Sequence, residues 1–160
     1  MKQIFESERI SFVEVSENLI GDYLIMVNDV ENVRRFIGGK QEPYTAEQEI
    51  SWVRGKLENK EPVFSMIEKE SGDFIGNIEL MDVTGPEGEL GIAITAKKQN
   101  KGFGTEAILA LISYGMVQLG LQRITLRTRF FNSRAIHVYE KCGFREYGRT
   151  EDHLCMEITA

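Results

Sequence analysis

The sequence predicts an α+β fold in which a mixed, mostly antiparallel β-sheet is flanked by helices. Short segments with strand-like alternation recur along the chain, and segments with apolar residues at helical spacing lie between them. The predicted strands are residues 10–15, 62–68, 74–81, 89–95, 123–129, 144–147 and 154–158. Because no linker, low-complexity tract or internal repeat interrupts the pattern, we expect residues 1–160 to form a single domain.

Capping and breaking residues mark the helices of the first half. Ser16 precedes a helix that is expected to run to about Asn28, and Gly38-Gly39 predicts a break after it. Thr45 and Gln48 have the spacing of a capping box, which opens a second helix. The apolar residues of that helix are Ile50, Trp52, Val53 and Leu57.

Two further helices are predicted in the second half. The first follows a glycine-rich loop and ends near Leu119. Its expected buried face consists of Ile108, Leu111, Ile112, Gly115 and Leu119. The second helix spans residues 132–142 and is ended by Gly143. Between the earlier strands, Ser71-Gly72 and Thr84-Gly85-Pro86 are turn signals.

The segment Gln99–Ala107 is the strongest functional signal in the chain. It follows a predicted strand and opens a helix, and Gly102 and Gly104 allow backbone N–H groups to come close to a ligand. Since the positive end of the helix dipole points to the same place, a phosphate or pyrophosphate is the expected ligand. The residues expected around it are Gln99, Asn100, Lys101, Gly102, Phe103, Gly104 and Thr105.

Three lysines lie close to this loop in the sequence, Lys97, Lys98 and Lys101. They would attract an outer phosphate of the ligand, or they would form a solvated cluster of charges. The sequence does not distinguish between these two roles.

A second block, Asn132–Phe144, reads Asn-Ser-Arg-Ala-Ile-His-Val-Tyr-Glu-Lys-Cys-Gly-Phe. Together with the glycine loop, it resembles the GNAT superfamily of N-acetyltransferases that depend on acetyl-coenzyme A (acetyl-CoA). The loop matches the superfamily's pattern Arg/Gln-x-x-Gly-x-Gly/Ala, and the block matches Asn-x-x-Ala/Ser-x-x-x-Tyr-x-x-x-Gly-Phe, in the expected order and spacing. The resemblance is closest to the branch that acetylates ribosomal-protein N-termini and polyamines. It implies a GNAT-like sheet that splays open between its fourth and fifth predicted strands, with CoA in the wedge.

The strand before the loop, residues 89–95, has one face that is small beyond Glu89. Gly91, Ala93 and Thr95 share this face, which leaves room for a thin ligand. By the resemblance, the backbone of the strand pairs with the pantetheine arm of CoA, and one N–H polarises the thioester carbonyl. The residues that would carry this contact are Gly91, Ile92, Ala93 and Ile94.

Asn132, Ala135 and Tyr139 share one face of the last predicted helix by their spacing. The small Ala135 would let the cofactor approach, and Asn132 offers both amide donors and an acceptor. The resemblance makes Tyr139 the general acid that protonates the departing CoA thiolate. The alternative is a buried tyrosine that only packs on the strand below.

The general base is less clearly marked. Glu79 and Glu89 are candidates because each lies in a strand that borders the expected wedge. If the turn between the strands is centred near Thr84, the two carboxylates are cross-strand neighbours and their repulsion raises one pKa. The alternatives are a solvated hairpin edge for each glutamate and a water molecule as the base. His137 and His153 are expected at the surface or in packing.

The expected acceptor of the acetyl group is a primary amine, such as a protein N-terminus, a polyamine or another small amine. Tyr44 and Trp52 are candidates to line an acceptor groove, although Trp52 has the spacing of a core residue. We expect direct transfer, because no Cys or Ser is placed as a covalent nucleophile. The motifs bind the cofactor, so they do not identify the acceptor.

Two other classes of function remain open at this point. A non-catalytic module that binds acetyl-CoA would share the same motifs. Residues 102–107 also match a loose dinucleotide fingerprint, Gly-x-Gly-x-x-Ala, which is typical of NAD-binding oxidoreductases. The context disfavours that class, because residues 121–127 lack the acidic side chain that would bind the ribose.

The overall charge and the cysteines limit the partners. A net charge of -6 argues against nonspecific binding of nucleic acid; it would help to attract a cationic acceptor, but simple solubility explains it equally well. Cys142 and Cys155 have neither metal-ligand spacing nor the pattern of a disulfide framework, which favours a reducing cytoplasm and no metal site. We expect no membrane partner, since neither a signal peptide nor a spanning segment is recognisable. A homodimer is compatible with the sequence.

Overall fold

The computed structural model describes residues 1–38 and 42–160, and its strands form one sheet. The strands are β1 (Gln3–Glu6), β2 (Ile10–Glu14), β3 (Val63–Glu68), β4 (Phe74–Thr84), β5 (Glu87–Ile94), β6 (Arg123–Arg129), β7 (Arg145–Arg149) and β8 (His153–Thr159). Their order in the sheet is β1-β2-β3-β4-β5-β6-β8-β7. Neighbouring strands are antiparallel except for β5 and β6, which are parallel. The predicted mixed, mostly antiparallel sheet is confirmed.

Five α-helices accompany the sheet in the described parts of the chain. They are α1 (Ile20–Val27), α2 (Arg35–Ile37), α3 (Ala46–Glu58), α4 (Phe103–Val117) and α5 (Ser133–Lys141). The capping box of Thr45 and Gln48 is present at the start of α3, as predicted. In the described residues no helix is long and apolar enough to cross a membrane.

The region before α3 contains elements that the sequence did not predict. The short strand β1 precedes the first predicted strand, and a π-helical turn at Val30–Arg34 leads into α2. Ser16 caps a 3-10 turn, Glu17–Leu19, from which α1 continues. Gly38 ends α2 with a φ of 78°, as expected of a break, whereas Gly39 lies outside the described residues.

Two hydrophobic clusters cover the two faces of the sheet. Helices α4 and α5 pack on one side, which we call the α4 face, against core residues such as Leu90 and Leu126. Helices α1 and α3 pack on the other side, which we call the α3 face, where Ala93 of β5 contacts their cluster. Side chains of one strand therefore alternate between two different layers of helices.

Two apolar residues of the predicted helices are exposed in the structure, and one of them, Leu119, was expected on a buried face. Leu119 follows the end of α4 at Val117 and is 39% exposed, so its predicted place on the buried face is wrong. Leu57 is 45% exposed on the last turn of α3. The other four residues predicted for the buried face of α4 are buried.

The wedge that positions the site lies between β5 and β6. These strands pair only where residues Glu87–Glu89 lie beside Arg123–Thr125. Beyond this point β6 continues in register with β8 and β5 continues in register with β4, so the two strands diverge. The fourth and fifth strands of the sequence prediction correspond to β5 and β6. The opening expected between them is present in the structure.

Candidate active site

A cavity of about 660 Å³ fills the gap between the diverging ends of β5 and β6. Its size is within the range of small-molecule binding sites. On the α4 face it is lined by α5 and the start of α4, and on the α3 face by α2 and the turn before it. The predicted cofactor-binding residues on its wall are Gly91, Ile92, Ala93, Ile94, Gln99, Asn100, Gly102, Phe103, Gly104, Thr105, Asn132 and Ala135.

The glycine loop presents the first backbone N–H groups of α4 to this cavity. Gly102 is the N-cap residue with a φ of 83°, a left-handed conformation that favours glycine. In the described structure no side chain caps the helix, so the N–H groups of Phe103, Gly104 and Thr105 remain available to a ligand. Gly104 lies inside the helix, and an added Cβ would meet only Ile94 Cδ1, at 3.5 Å. The loop therefore fits the phosphate-binding role predicted for it.

A network under the loop holds it in place. The carboxylate of Glu106 accepts hydrogen bonds from the Ser7 hydroxyl and from the main-chain N–H and Nε of Arg9, the last at 2.7 Å. Burial opposes ionisation of Glu106, but these hydrogen bonds hold its pKa below the ordinary value. The Arg9 guanidinium also stacks on the Phe103 ring and donates to the Lys101 carbonyl at 3.0 Å. Arg9 therefore links the N-terminal segment to the loop.

Replacing Arg9 with Ala is expected to weaken CoA binding by about three- to tenfold, since the loop loses a hydrogen bond and a stacked cation. Thermal stability should also fall, because Glu106 would keep its charge with fewer partners. Calorimetric titration with CoA and a melting curve measure the two effects. Arg54→Ala, which removes an exposed ion pair with Glu17, is the control. An Arg9→Ala protein with unchanged affinity would show that the network does not shape the loop.

Gln99 and Asn100 are expected around the ligand, and in the structure their side chains have partners within the protein. Nε2 of Gln99 donates to the main-chain oxygens of Asn32 and Ile94, at 3.0 and 2.9 Å. Arg134 donates to Oδ1 of Asn100 at 2.7 Å and to Oε1 of Gln99 at 3.2 Å. The amide of Gln99 therefore ties the loop to β5 and to the turn before α2.

The cation that faces the phosphate end of the cavity is Arg134, which sequence reasoning missed. A basic residue in the first turn of a helix interacts unfavourably with the helix dipole. The position of Arg134 was therefore a sequence signal for a functional role. Lys98 instead binds Glu68 and Asp73 at 2.7 and 3.0 Å. Lys101 is exposed and off the cavity wall, and Lys97 is exposed. Lys98 is on the cavity wall, but its charge is paired with the Glu68 and Asp73 carboxylates, so it is not a free cation for a phosphate.

The inner half of β5 offers its backbone to the gap. After Glu89 the strand has no partner on the β6 side, so alternate N–H and C=O groups point into the cavity. Ile92 and Ile94 pack on the α4-face cluster, and Ala93 packs on the α3-face cluster. The face of β5 that carries the small side chains therefore borders the α3 layer. The phosphate loop lies on the opposite face, which carries Ile92 and Ile94. A ligand in the wedge contacts the strand by its edge.

Helix α5 contributes the other wall. Asn132 is its N-cap residue, and its side-chain oxygen accepts from the Ala135 N–H at 3.4 Å, which leaves the amide donors free for a ligand. Tyr139 lines the cavity and packs edge-on against Phe144, with ring centroids 6.1 Å apart. Burial, with a smaller effect of the Cys142 thiol, raises the pKa of Tyr139 to about 12. Its hydroxyl therefore keeps its proton at physiological pH.

The two candidate bases are not direct cross-strand neighbours. Glu79 pairs with Gly91, and Glu89 pairs with Met81, because the hairpin turns one residue later than Thr84 and carries an irregularity after Met81. The predicted mutual repulsion is therefore not the cause of any pKa shift. Burial raises the pKa of Glu79 against the opposing charge of Lys56, whose Nζ lies 3.6 Å away. Glu89 lies on the cavity wall, whereas Glu79 does not.

The α3-face mouth of the cavity contains residues that the sequence did not single out. Arg127 and Arg129 line it, and Arg127 Nε lies 3.4 Å from Glu89. His153 pairs with Arg129 across β6 and β8 and is half-buried on the cavity wall, not a plain surface residue. His137 is exposed, as expected. This grouping depends on strand pairing, so no local pattern announces it.

Tyr44 and Trp52 are not on the cavity wall. Trp52 packs edge-on against Tyr23, with ring centroids 5.7 Å apart, which confirms its role as an anchor of the α1–α3 cluster. Tyr44 lies under the Arg34 guanidinium, and its main chain binds Asn28. The structure therefore gives no support for an acceptor groove at these two residues.

The family model for the GNAT acetyltransferase domain matches residues 9–145, which include both motifs and the whole wedge. The chain belongs to the GNAT acetyltransferase family. This membership confirms the predicted GNAT-like fold, acetyl-CoA as cofactor and the acyltransferase class. The competing assignment as an NAD-binding oxidoreductase is wrong.

Individual GNAT proteins resemble this chain to different degrees. The spermidine N(1)-acetyltransferase of Vibrio cholerae is 32% identical over 122 residues, which are 74% of this chain and 68% of that protein. The structure of a GNAT acetyltransferase from Bacillus anthracis superposes with a TM-score of 0.86 at 21% identity, covering 96% of each chain. Spermidine N-acetyltransferase from Vibrio cholerae, in complex with CoA and spermine, gives a TM-score of 0.84 at 23% identity and the same coverage. At these identities the two structural matches support the fold alone.

Proposed function

We propose that this GNAT protein transfers the acetyl group of acetyl-CoA directly to a primary amine in the β5–β6 wedge. The observation that carries the proposal is that the start of α4, the free edge of β5 and Tyr139 share one cavity. When bound, acetyl-CoA supplies a thioester that is open to attack by an amine. The protein's own residues would bind, orient and manage protons.

Binding is the task of the backbone. The N–H groups of Phe103, Gly104 and Thr105 would hold the pyrophosphate, and Arg134 would add a positive charge beside it. The free edge of β5 would bind the pantetheine arm as an added strand, and one N–H of Gly91–Ile94 would polarise the thioester carbonyl. Binding of the pyrophosphate and of the pantetheine arm therefore requires no cationic side chain deep in the wedge.

Proton transfer would involve two side chains on opposite walls of the cavity. Tyr139 is proposed as the general acid for the leaving thiolate, because it lines the cavity and its hydroxyl is protonated at physiological pH. Glu89 is proposed to accept the proton of the ammonium acceptor, directly or through water, because its carboxylate lines the cavity. Glu79 is the weaker candidate, since it is off the cavity wall.

Glu89→Gln is expected to lower the rate near neutral pH by tenfold or more and to recover as the pH rises. The recovery follows because an alkaline medium deprotonates the amine without help from the protein. Glu79→Gln is the matched control, and we expect it to keep the wild-type pH profile. Rate–pH profiles of both variants distinguish the two residues. A Glu89→Gln protein with the wild-type profile would remove Glu89 from the mechanism.

The test of the function itself is release of free CoA thiol with a panel of amines. The panel should contain polyamines, amino acids, aminoglycosides and short peptides, and the acetylated product should be identified by mass spectrometry. Stoichiometric thiol and N-acetylated amine would support an N-acetyltransferase. Tight CoA binding without thiol release for any amine would favour a non-catalytic acetyl-CoA-binding module.

A single domain, a cytoplasmic location and a homodimer remain part of the proposal. One continuous sheet supports the single domain. The cytoplasmic location is supported by the free thiols of Cys142 and Cys155, which are both buried. Sedimentation at several concentrations would determine the oligomeric state.

A further inference from the structure

The two mouths of the wedge differ in the charged groups that they offer. Side chains on β6 alternate, so Leu126 and Thr128 point to the α4 face, whereas Arg127 and Arg129 point to the α3 face, away from the phosphate loop. If the cofactor enters the wedge beside the start of α4, the acceptor would enter through the mouth on the α3 face. The charges on that mouth therefore select the acceptor.

Positive charge dominates this mouth. Glu89 is the only carboxylate among the described residues that line the cavity, and it is already paired with Arg127. Arg129 is half-buried, and no carboxylate in the described chain lies within ion-pair distance of it. His153 is its cross-strand neighbour on the same face, and the Asp152 carboxylate is 3.9 Å from that imidazole. Arg129 is thus a cavity-lining cation with which no carboxylate of the described residues is paired.

Arg129 also lies at the level of the chemistry. In the parallel pairing of β5 with β6, Glu89 lies beside Thr125. If this register is continued along the two diverging strands, Ala93 is opposite Arg129. Ala93 is within the segment proposed to bind the acetylated end of pantetheine. An Nη atom of Arg129 would be 3.4 Å from a Cβ added to Gly38, so the guanidinium reaches across the mouth to the end of α2.

We infer that the acceptor is a primary amine that carries a carboxylate close to the amine, and that Arg129 binds this carboxylate. The inference rests on the proposed function and narrows its substrate class. An arginine offers two parallel N–H donors to a carboxylate, which gives both charge and orientation. Phe36 and Ile37 add an apolar wall beside it, suited to an apolar part of the acceptor. A polycation would meet an uncompensated guanidinium at the same place.

The test compares pairs of amines with the same carbon skeleton, one with a carboxylate and the other with the corresponding amide. L-Leucine against leucinamide probes a free amino acid, and a peptide beginning with Asp against one beginning with Asn probes an acidic protein N-terminus. Spermidine represents the polycations. For each, both kcat/KM and affinity for the CoA-loaded protein are measured, so a protein that binds but does not turn over still reports on the charge preference.

We expect at least about a tenfold preference for the carboxylate partner in one of the two pairs, and its loss in Arg129→Gln with CoA affinity unchanged. Arg129→Glu should shift the preference towards spermidine. Arg123→Gln, on the same face of β6 but outside the cavity, is the control and should keep the preference. Equal use of carboxylate and amide, a preference for spermidine in the wild type, or weaker CoA binding in Arg129→Gln would overturn the inference. Carboxylate-selective binding without turnover would support it and refute the catalytic proposal alone.

Discussion

Tyr139→Phe is expected to lower turnover by roughly ten- to ten-thousandfold while CoA binding stays nearly intact. The ring remains and still packs against Phe144, so the melting temperature should change little. What is lost is a hydroxyl whose pKa of about 12 keeps it protonated through the working range of pH. Without it, the CoA thiolate must leave unprotonated or take a proton from water. Steady-state rates and calorimetric CoA titration measure the two parts of this prediction.

A second tyrosine provides the matched control. Tyr147 on β7 is 49% exposed, contacts the Arg123 guanidinium and is off the cavity wall. Tyr147→Phe should keep the wild-type rate. If Tyr139→Phe is folded and fully active, Tyr139 is not the acid; if it is destabilised with little specific loss of rate, its role is packing.

Gly104→Val is expected to weaken CoA binding by about ten- to a hundredfold, the loss of one or two hydrogen bonds to a charged phosphate. Gly104 has helical geometry, and an added Cβ would make only an ordinary contact with Ile94. The fold should therefore survive, whereas the two methyl groups of Val would occupy space in front of the free N–H groups of α4. Calorimetric titration of the folded variant measures the effect.

Gly55 is a suitable control position, because it is also a helical glycine and has open space around the position of an added Cβ. Gly55→Val places the same side chain on α3, away from the cavity, and should leave CoA affinity unchanged. Equal affinities of the Gly104→Val and wild-type proteins would mean that the pyrophosphate binds elsewhere.

Most of the helices and strands that were predicted correctly are determined by patterns among neighbouring residues. The capping box at Thr45 and Gln48 and the glycine Gly102 at the start of α4 are determined by a few neighbouring residues. Strand β1 was missed because four residues give too short an alternation, and the π-helical turn before α2 has no comparable sequence signature.

The parts of the site that were missed depend on contacts distant in sequence. Arg9 reaches Glu106 across 97 residues, and His153 meets Arg129 only through the pairing of β8 with β6. A one-residue change in the position of a hairpin turn moves the cross-strand partner by two, which is why Glu79 is opposite Gly91 instead of Glu89. Motif residues locate the cofactor end of the wedge, whereas the acceptor end is assembled by the sheet.

A crystal structure of the protein with CoA would show whether the β5–β6 wedge holds the cofactor. We expect pyrophosphate oxygens within about 3.2 Å of the main-chain nitrogens of Phe103–Thr105, and the pantetheine arm along the free edge of β5. We also expect the sulfur within hydrogen-bonding reach of the Tyr139 hydroxyl. CoA bound outside the β5–β6 wedge, or a sulfur beyond the reach of Tyr139, would contradict the proposed binding mode.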